Sequence, residues 1–263
     1  MTRRTARTPL ALALVASLTL LSACATGAGT APTEAPTEPA LSGELTIYAA
    51  ASLGAAFDEL ATEFEADNPG VDILPIVYDG SSTLAAQLLE GARADVFATA
   101  DEANMEKVAE LVDGSPEIFA TNTLVIATPR GNPAGIEELS DLADPALTVV
   151  LCAPEVPCGS ASQKLLDAAG VALTPASLEQ NVTAVLTKVA STDADAGLVY
   201  RTDVADRADV DSIVPEGADA IVNSYPIATL AASANPTAAA AFAAFVTGER
   251  GQGILASYGF GAP

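Results

Sequence analysis

The sequence predicts an α/β fold in which mostly parallel β-sheets are flanked by helices. Short apolar runs of strand length alternate with helical patterns along most of the chain, and this alternation is typical of parallel sheets covered by helices. Hydrophobic residues make up 50% of the sequence but aromatic residues only 5%, so we expect a core of Ala, Val and Leu. The stretch from about Gly43 to Pro263 is long enough for one large domain or two small lobes.

The first 23 residues have the pattern of a lipoprotein signal peptide. Arginines near the N-terminus precede an apolar stretch, residues 9–21, that is too short to span a bilayer as a stable helix. Leu21-Ser22-Ala23-Cys24 resembles the bacterial lipobox, which implies that Cys24 is lipidated and anchors the mature protein to the outer face of the cell membrane, or in the periplasm. An ordinary signal peptide followed by a chance cysteine is the alternative. Residues 24–43 are rich in Thr, Ala, Pro, Gly and Glu and are predicted to be a flexible tether.

The first half of the remaining chain is predicted to contain successive strand–helix units. Strand patterns cover residues 45–48, 71–77, 94–100 and 123–128. The first strand runs into Ser52 and a helix, and the second runs through Asp79-Gly80 into Ser81 and another helix. Asp101 is a good N-cap for a helix over residues 102–112. A short helix is predicted over residues 135–142.

The second half continues the same alternation. Strands are predicted over residues 147–151 and 197–200, with extended segments at 213–215 and 221–230. Gly159-Ser160 opens a helix over residues 161–169, and Asn181-Val182 opens another that runs to residue 190. Two more helices are expected over residues 238–246 and 251–257.

Charge and residue types exclude several classes of function. With 11 basic and 34 acidic residues the net charge is −23, so nucleic acid and anionic lipid surfaces are not expected partners. The sequence has no histidine, which excludes a Ser-His-Asp triad and His-containing zinc sites. A serine hydrolase would then need a lysine base, but Lys107, Lys164 and Lys188 each lie on a polar helix face. We therefore expect that the protein is not an enzyme.

Cys152 and Cys158 are the cysteines that remain after the lipobox. In an exported chain two nearby cysteines favour a disulfide. The chain-entropy model predicts that a disulfide closing so short a loop stabilises the folded protein by about 2 kcal/mol. A metal or redox role is the less supported alternative, because no other soft ligand is present and the spacing is not Cys-x-x-Cys.

Four junctions between a strand and a helix are candidate anion sites: Ser52, Ser81, the Cys158-Gly159 turn and Asn181-Val182. In open α/β sheets ligands bind beyond the carboxyl ends of strands, where free N–H groups and the positive end of the helix dipole favour an anion. A polar residue at any one of these junctions is also explained as an ordinary helix cap. Together, two in each half of the chain, they predict a cleft between two lobes.

Several segments resemble the molybdate-binding proteins of bacterial ABC importers. They are Ala49-Ala50-Ala51-Ser52-Leu53, Gly80-Ser81-Ser82-Thr83-Leu84-Ala85-Ala86-Gln87-Leu88, Gly91-Ala92-Arg93-Ala94-Asp95-Val96-Phe97-Ala98-Thr99-Ala100-Asp101, Gly197-Leu198-Val199-Tyr200 and Tyr258-Gly259-Phe260. The resemblance covers nearly the whole chain after the tether, and its order and spacing make it more specific than any single junction.

This resemblance implies a two-lobed periplasmic-binding-protein fold. Lobe one would hold residues 44–122 and 231–263, and lobe two residues 123–230, with crossover segments near 123–128 and 224–230. The ligand would be molybdate or tungstate, with no cofactor. The partners of a monomeric, lipid-anchored receptor would be a molybdate ABC permease and its ATPase.

The resemblance also implies the residues that contact the oxyanion. These are Ser52 and Ser81 through hydroxyl and backbone, Cys158 and Val182 through their N–H groups, and Tyr200 through its phenol; the metal atom is held only as molybdate, by the same residues. The segment 153–159 departs from the family pattern, because it is one residue shorter and Cys158 stands where a small aliphatic residue is usual. A receptor for sulfate or phosphate is the alternative. Asp79 is expected to point away from an anion, and Tyr225 to be a packed strand-end residue.

Overall fold

Two five-stranded β-sheets with helices on their faces make up most of residues 40–263, which are the residues described by the computed structural model. Those residues form one compact unit. The predicted signal peptide (1–23), Cys24 and the tether up to residue 39 lie outside the described residues.

Strands and helices alternate through the whole described part of the chain. The strands are β1 (Gly43–Leu45), β2 (Ile47–Ala50), β3 (Val71–Ile73), β4 (Val77–Asp79), β5 (Val96–Ala98), β6 (Val112–Asn122), β7 (Leu124–Pro129), β8 (Val149–Cys152), β9 (Ser177–Glu179), β10 (Ala196–Tyr200), β11 (Val210–Ile213) and β12 (Asn223–Leu230). The α-helices are α1 (Gly54–Asp67), α2 (Ser81–Leu89), α3 (Glu102–Lys107), α4 (Pro157–Ala169), α5 (Val182–Ala190), α6 (Arg201–Val204), α7 (Pro236–Thr247) and α8 (Glu249–Ser257). Short 3-10 helices cover Ala51–Leu53, Ala109–Leu111, Leu139–Ala143 and Ala218–Ala220.

Each five-stranded sheet is mixed. The first sheet has the order β4-β2-β5-β12-β6, in which β2 pairs in parallel with β4 and β5, while β12 is antiparallel to β5 and β6. The second has the order β11-β7-β10-β8-β9, in which β8 pairs in parallel with β9 and β10, while β7 is antiparallel to β10 and β11. The predicted α/β fold is confirmed, but only half of the pairs within each sheet are parallel, so the prediction of mostly parallel sheets is wrong.

The chain passes between the two sheets at neighbouring points. It leaves the first sheet at the end of β6 and enters β7 two residues later, and it returns to the first sheet at the start of β12. Asn122 and Asn223, which stand at these two points, are paired across β6 and β12. The segment 223–230, expected near a crossover, is therefore a strand of the first sheet.

The largest local error of the sequence prediction is the segment 102–122. A helix was expected to reach residue 112, but α3 ends at Lys107 and β6 begins at Val112. The first half of β6 contains Gly114 and Pro116 and is exposed and polar, so it has no alternating pattern of its own. It is a strand because β12 pairs along it, with register shifts near Pro226. Helix α4 begins four residues earlier than predicted, with Pro157 in its first turn.

An aromatic cluster joins helices α1 and α7 to strand β6 in the core under the first sheet. Phe57 lies 5.8 Å from Phe119 and 6.2 Å from Phe242 between ring centroids, and Phe64 packs edge-on against Phe242 at 5.3 Å. All four rings are buried. The C-terminal helices are therefore part of the same core as the N-terminal strand–helix unit.

Asp95, just before β5, accepts hydrogen bonds from two separate segments of the chain beside the first sheet. Its carboxylate accepts from the Thr46 N–H (2.7 Å), the Ser233 hydroxyl (2.6 Å) and the Ala234 N–H (2.8 Å). Burial opposes ionisation of this carboxyl, but these hydrogen bonds outweigh burial and lower its pKa. Asp95 therefore stabilises the fold most when it is ionised.

Asp95→Ala is expected to lower the free energy of unfolding by at least about 3 kcal/mol, because it leaves buried donors without an acceptor. The contribution of Asp95 is present at pH values above the carboxyl's pKa in the unfolded chain and is lost as pH falls through its lower folded pKa. Urea unfolding at neutral and acidic pH measures both effects. Asp72→Ala, at an exposed position of β3, is the control, and an equal loss in both variants would contradict the assigned role.

Candidate functional site

A small cavity lies where the strand–helix junctions of the two sheets face each other. It is far smaller than the other cavities described in residues 40–263, so it leaves no room for a drug-sized ligand. It is lined by Ala50, Ala51, Ser52, Asp79, Gly80, Ser81, Ala100, Val156, Pro157, Cys158, Asn181, Val182 and Tyr200.

All five residues predicted to contact a ligand line this cavity. Ser52 and Ser81 come from the first sheet's junctions, and Cys158, Val182 and Tyr200 come from the second sheet. They span the sequence from position 52 to position 200, and the fold brings them together because each lies at or beyond the carboxyl end of a strand.

The two serine hydroxyls do not cap their helices. Ser52 lies in the 3-10 helix that follows β2, and Ser81 is the first residue of α2, and neither helix has a side-chain hydrogen bond from its N-cap residue. Ser81 is 1% exposed, and its Oγ accepts a hydrogen bond from the Ala100 N–H at 3.0 Å. The Ser52 Oγ lies 3.0 Å from the Tyr225 hydroxyl. The capping alternative considered for the sequence therefore does not account for either serine.

The second sheet presents the beginnings of two helices to the cavity. Cys158 lies in the first turn of α4, and Val182 is the first residue of α5. Backbone N–H groups in the first turn of a helix have no partner within the helix and favour negative charge. Asn181 caps α5 by accepting from the Ala184 N–H at 2.9 Å, which leaves the Val182 N–H for the cavity.

A disulfide joins Cys158 to Cys152 at the end of β8. Gly159 follows, and a Cβ at that position would lie 1.9 Å from the carbonyl oxygen of Ala153. The loop between β8 and α4 is therefore closed both by the covalent bond and by close backbone packing. The Cys158 side chain forms the disulfide with Cys152. A ligand in the cavity could therefore contact Cys158 only through its backbone.

Two buried phenols lie behind the serine and helix donors. Tyr200 ends β10, and its hydroxyl accepts from Asn223 Nδ2 at 2.9 Å. Its ring packs edge-on against Tyr225 at 5.9 Å. Burial raises the pKa of both phenols, so both remain protonated and can donate. The Tyr200 N–H donates to Asp203 at 2.8 Å, and burial raises the pKa of that carboxyl to about 7.

Asp79 connects the two sides of the cavity. Its Oδ1 accepts from the Gly80 N–H (2.7 Å) and from Asn181 Nδ2 (2.8 Å). Asp79 was expected to point away from the cavity, but it is one of the residues that line it. The two donors occupy its Oδ1. At the next residue the two turns are in close contact, because a Cβ on Gly80 would lie 2.1 Å from the carbonyl oxygen of Gln180.

Sequence reasoning missed three polar residues behind the cavity: Tyr225, Asn122 and Asn223. Tyr225 was interpreted as a packed strand-end residue, and it is indeed fully buried, but its hydroxyl also contacts Ser52. The two asparagines are buried at the points where the chain crosses between sheets. Each asparagine lies beside or within a predicted extended segment, but no local pattern in the sequence reveals its partner.

Two structural features are absent from residues 40–263. No helix in that range is long and apolar enough to cross a membrane. Nor does the range contain a group of three or more His, Cys, Asp or Glu side chains placed to hold a metal ion.

Comparison with known proteins identifies the family. The family model described as bacterial extracellular solute-binding protein matches residues 45–261. The chain belongs to this family. The molybdate-binding protein ModA of Mycobacterium tuberculosis (strain ATCC 25618 / H37Rv) is 45% identical over 247 residues, which cover 92% of this chain and 93% of that protein. The predicted resemblance to molybdate-binding proteins is thereby confirmed.

Solved structures show the same fold at lower identity. The periplasmic molybdate-binding protein of Azotobacter vinelandii matches with a TM-score of 0.73 at 21% identity, covering 83% of this chain and 99% of that one. The sulfate-binding protein SubI of Mycobacterium tuberculosis H37Rv matches with a TM-score of 0.68 at 19% identity, covering 82% and 86%. The periplasmic-binding-protein fold is therefore confirmed, and with the family match the protein is a solute-binding protein and not an enzyme. Solute binding of this kind uses a ligand and needs no cofactor.

Gly80→Ala is expected to separate the two turns that meet beside the cavity. Gly80 has an ordinary backbone conformation (φ −60°), so the effect is purely steric, and overpacking of this kind costs about 1–3 kcal/mol of stability. Urea unfolding should show that loss, and a crystal structure should show a longer distance between Asp79 and Asn181. Gly54→Ala is the matched control, because a Cβ there meets no atom within 4 Å; equal stability of the two variants would contradict the prediction.

Proposed function

We propose that this chain is an extracytoplasmic receptor that binds molybdate, and also tungstate, and delivers it to an ABC import permease. The observation that carries the proposal is the set of neutral hydrogen-bond donors around one small cavity: the hydroxyls of Ser52, Ser81 and Tyr200 and the N–H groups of Cys158 and Val182. The 45% identical relative, named a molybdate-binding protein, supports the same ion.

Neutral donors suit a doubly charged oxyanion. A hydrogen bond to a charged group contributes about 1.5–3 kcal/mol net. Several such bonds, less the cost of desolvation and closure, are enough for micromolar or tighter binding. A protein with a net charge of −23 repels anions overall, so it must bind one through local N–H and O–H dipoles.

A receptor for sulfate or phosphate is the second candidate. Sulfate has the charge and shape of molybdate, and a sulfate-binding protein shares this fold. Cavity size must then separate the two ions. Phosphate differs in chemistry, because at neutral pH it carries a proton that needs an acceptor, and a wall of donors offers it none.

Delivery to a permease requires the protein to present different surfaces with and without its ligand. The bond between Asp79 and Asn181, and the contact of Gly80 with Gln180, join junctions from the two sheets beside the cavity. We infer that an anion bound between these junctions favours this closed arrangement, and that the closed surface is the one that the permease recognises. Lobe one would then hold residues 44–122 and 231–263 and lobe two the middle of the chain.

Titration of the mature protein with molybdate, tungstate, sulfate and phosphate by calorimetry tests the proposal. Molybdate and tungstate should bind with high affinity, and heat from sulfate or phosphate alone would overturn the assignment. Ser81→Ala should weaken molybdate binding about tenfold or more, because it removes one hydrogen bond to a charged group. Ser257→Ala, which removes a helix hydroxyl far along the chain on α8, should leave affinity unchanged; equal affinity of both variants would exclude Ser81 from the site.

We also propose that lipid on Cys24 anchors the receptor to the membrane, on the basis of the lipobox-like sequence Leu21-Ser22-Ala23-Cys24. Cell fractionation should find the full-length protein with membranes and the Cys24→Ala variant free of them. A variant with Ser22→Ala, which keeps the cysteine, should stay with the membranes. Retention of Cys24→Ala at the membrane would refute the anchor.

A further inference from the structure

The Cys152–Cys158 disulfide forms part of the wall between two cavities. Cys158 lines the small cavity that holds the candidate site, whereas Cys152 lines a larger cavity together with Pro154 and Gln163. A small thiol compound can therefore approach the bond from the Cys152 side without entering the anion cavity.

The N–H group of Cys158 is the first one that helix α4 can offer to a ligand. Pro157, the first residue of the helix, has no N–H, and the N–H of the second residue has no partner within the helix. Only Cα and Cβ separate the Cys158 nitrogen from its Sγ. A bond that fixes the sulfur therefore also restricts where this N–H points.

Hydrogen bonds tie the loop between the two cysteines only loosely to its surroundings. The cysteines are six residues apart in sequence, and Pro154 and Pro157 between them cannot donate. The Ala153 N–H donates to the carbonyl of Glu179 at 2.8 Å, and the Val156 N–H donates to the carbonyl of Ala153 at 2.9 Å. The disulfide is therefore the main constraint on the position of the first turn of α4 relative to the end of β8.

The same loop faces the first sheet's side of the site. A Cβ on Gly80 would lie 3.4 Å from Val156 Cγ1, and the carbonyl oxygen of Glu155 lies 3.5 Å from Asn104 Nδ2 at the start of α3. Movement of this loop would therefore change both the position of the Cys158 N–H and the contact between the two sides of the cavity.

Strand pairing extends this constraint to the second backbone donor. Cys152 is paired with Glu179, the last residue of β9, and the chain then passes through Asn181 into Val182 at the start of α5. The disulfide links Cys152 to Cys158, so the two cavity-lining helix starts are both referred to the end of β8. Their N–H groups are thereby held at a fixed separation.

We propose that the Cys152–Cys158 disulfide is a positioning element of the oxyanion site, and that anion affinity depends on the redox state of this pair. This inference rests on the proposed function, because it concerns the same site. Reduction by a dithiol breaks the Sγ–Sγ bond, transfers two electrons and two protons to give two cysteine thiols, and oxidises the dithiol to its own disulfide. The freed loop must then be ordered when the anion binds, at a cost in conformational entropy.

The coupling between the disulfide and the anion must be reciprocal. If the disulfide raises the affinity by some factor, the bound anion protects the disulfide from reduction by the same factor. We expect about a tenfold effect, because one hydrogen bond to a charged group is weakened. For a two-electron couple a tenfold effect lowers the reduction potential by about 30 mV. A disulfide that only stabilised the fold would leave the potential of the folded protein unchanged.

A redox titration measures this potential directly. The mature protein with Cys24→Ala, in which Cys152 and Cys158 are the remaining cysteines, is equilibrated in dithiothreitol buffers of graded potential, without molybdate and with enough molybdate to saturate both redox forms. Alkylation and mass spectrometry count the thiols, and circular dichroism verifies that the reduced protein stays folded. The midpoint should fall by about 30 mV with molybdate; an equal midpoint in both series would overturn the proposal.

Calorimetry on a variant without the disulfide gives a second measurement. The double variant Cys152→Ser, Cys158→Ser should bind molybdate about tenfold more weakly than the oxidised protein, and dithiothreitol should not change its affinity. Leu142→Ala is the control, because Leu142 is fully buried but does not line the cavity. It should lower the unfolding temperature and keep the affinity. An equal loss of affinity in the control would show that the disulfide acts through stability alone.

The outcomes separate this inference from the proposed function. If the oxidised protein binds no tetrahedral oxyanion, both are wrong. If the oxidised protein binds molybdate but neither the redox midpoint nor the affinity of the double variant changes, the positioning role alone is wrong. A reduced protein that unfolds would show that the disulfide is needed for the fold itself, and this too would overturn the positioning role. If only the double variant fails to fold, the redox midpoints decide.

Discussion

The contact between two turns, Asp79-Gly80 and Gln180-Asn181, is the constraint on which the cavity depends. One turn follows a strand of the first sheet and the other a strand of the second. The Asp79 carboxylate accepts from the Gly80 N–H in its own turn and from Asn181 Nδ2 in the other turn. The absence of a side chain at Gly80 lets the two backbones come into contact. Without this approach the serine hydroxyls of one sheet and the helix N-termini of the other could not face a single small ion.

Charge is handled locally in this protein. An acidic chain binds an anion only where dipoles outweigh the overall field, and in the proposed site those dipoles would come from the starts of helices and from hydroxyl groups. The carboxylate nearest to the cavity, Asp79, has donors on its Oδ1. Asp203, which accepts from the Tyr200 N–H, has a pKa raised to about 7 by burial. Both arrangements reduce the repulsion that a bound oxyanion would meet.

The sequence predicted the parts of the fold and site that depend on local patterns. Ser52, Ser81 and Val182 each follow a short strand and begin a helix, so their place at a strand's carboxyl end could be read directly. Strand β6 could not be predicted from its local pattern, because its polar first half is a strand only through pairing with β12, about a hundred residues later. Tyr225 was likewise missed, since its partner Ser52 lies 173 residues away and no local pattern records that contact.

The position of Asn122 and Asn223 has a consequence for how tightly the proposed receptor would hold its ligand. They are neighbours at the two points where the chain crosses between sheets, so in the proposed closure a rotation of one sheet against the other would turn about an axis close to them. Atoms near a rotation axis move least, and Asn122 and Tyr225 lie with Ser52 on the first sheet's side of that axis. In the proposed receptor the Ser52 donor would therefore be preorganised before the ion binds, and closing around the ion would cost little reorganisation energy there.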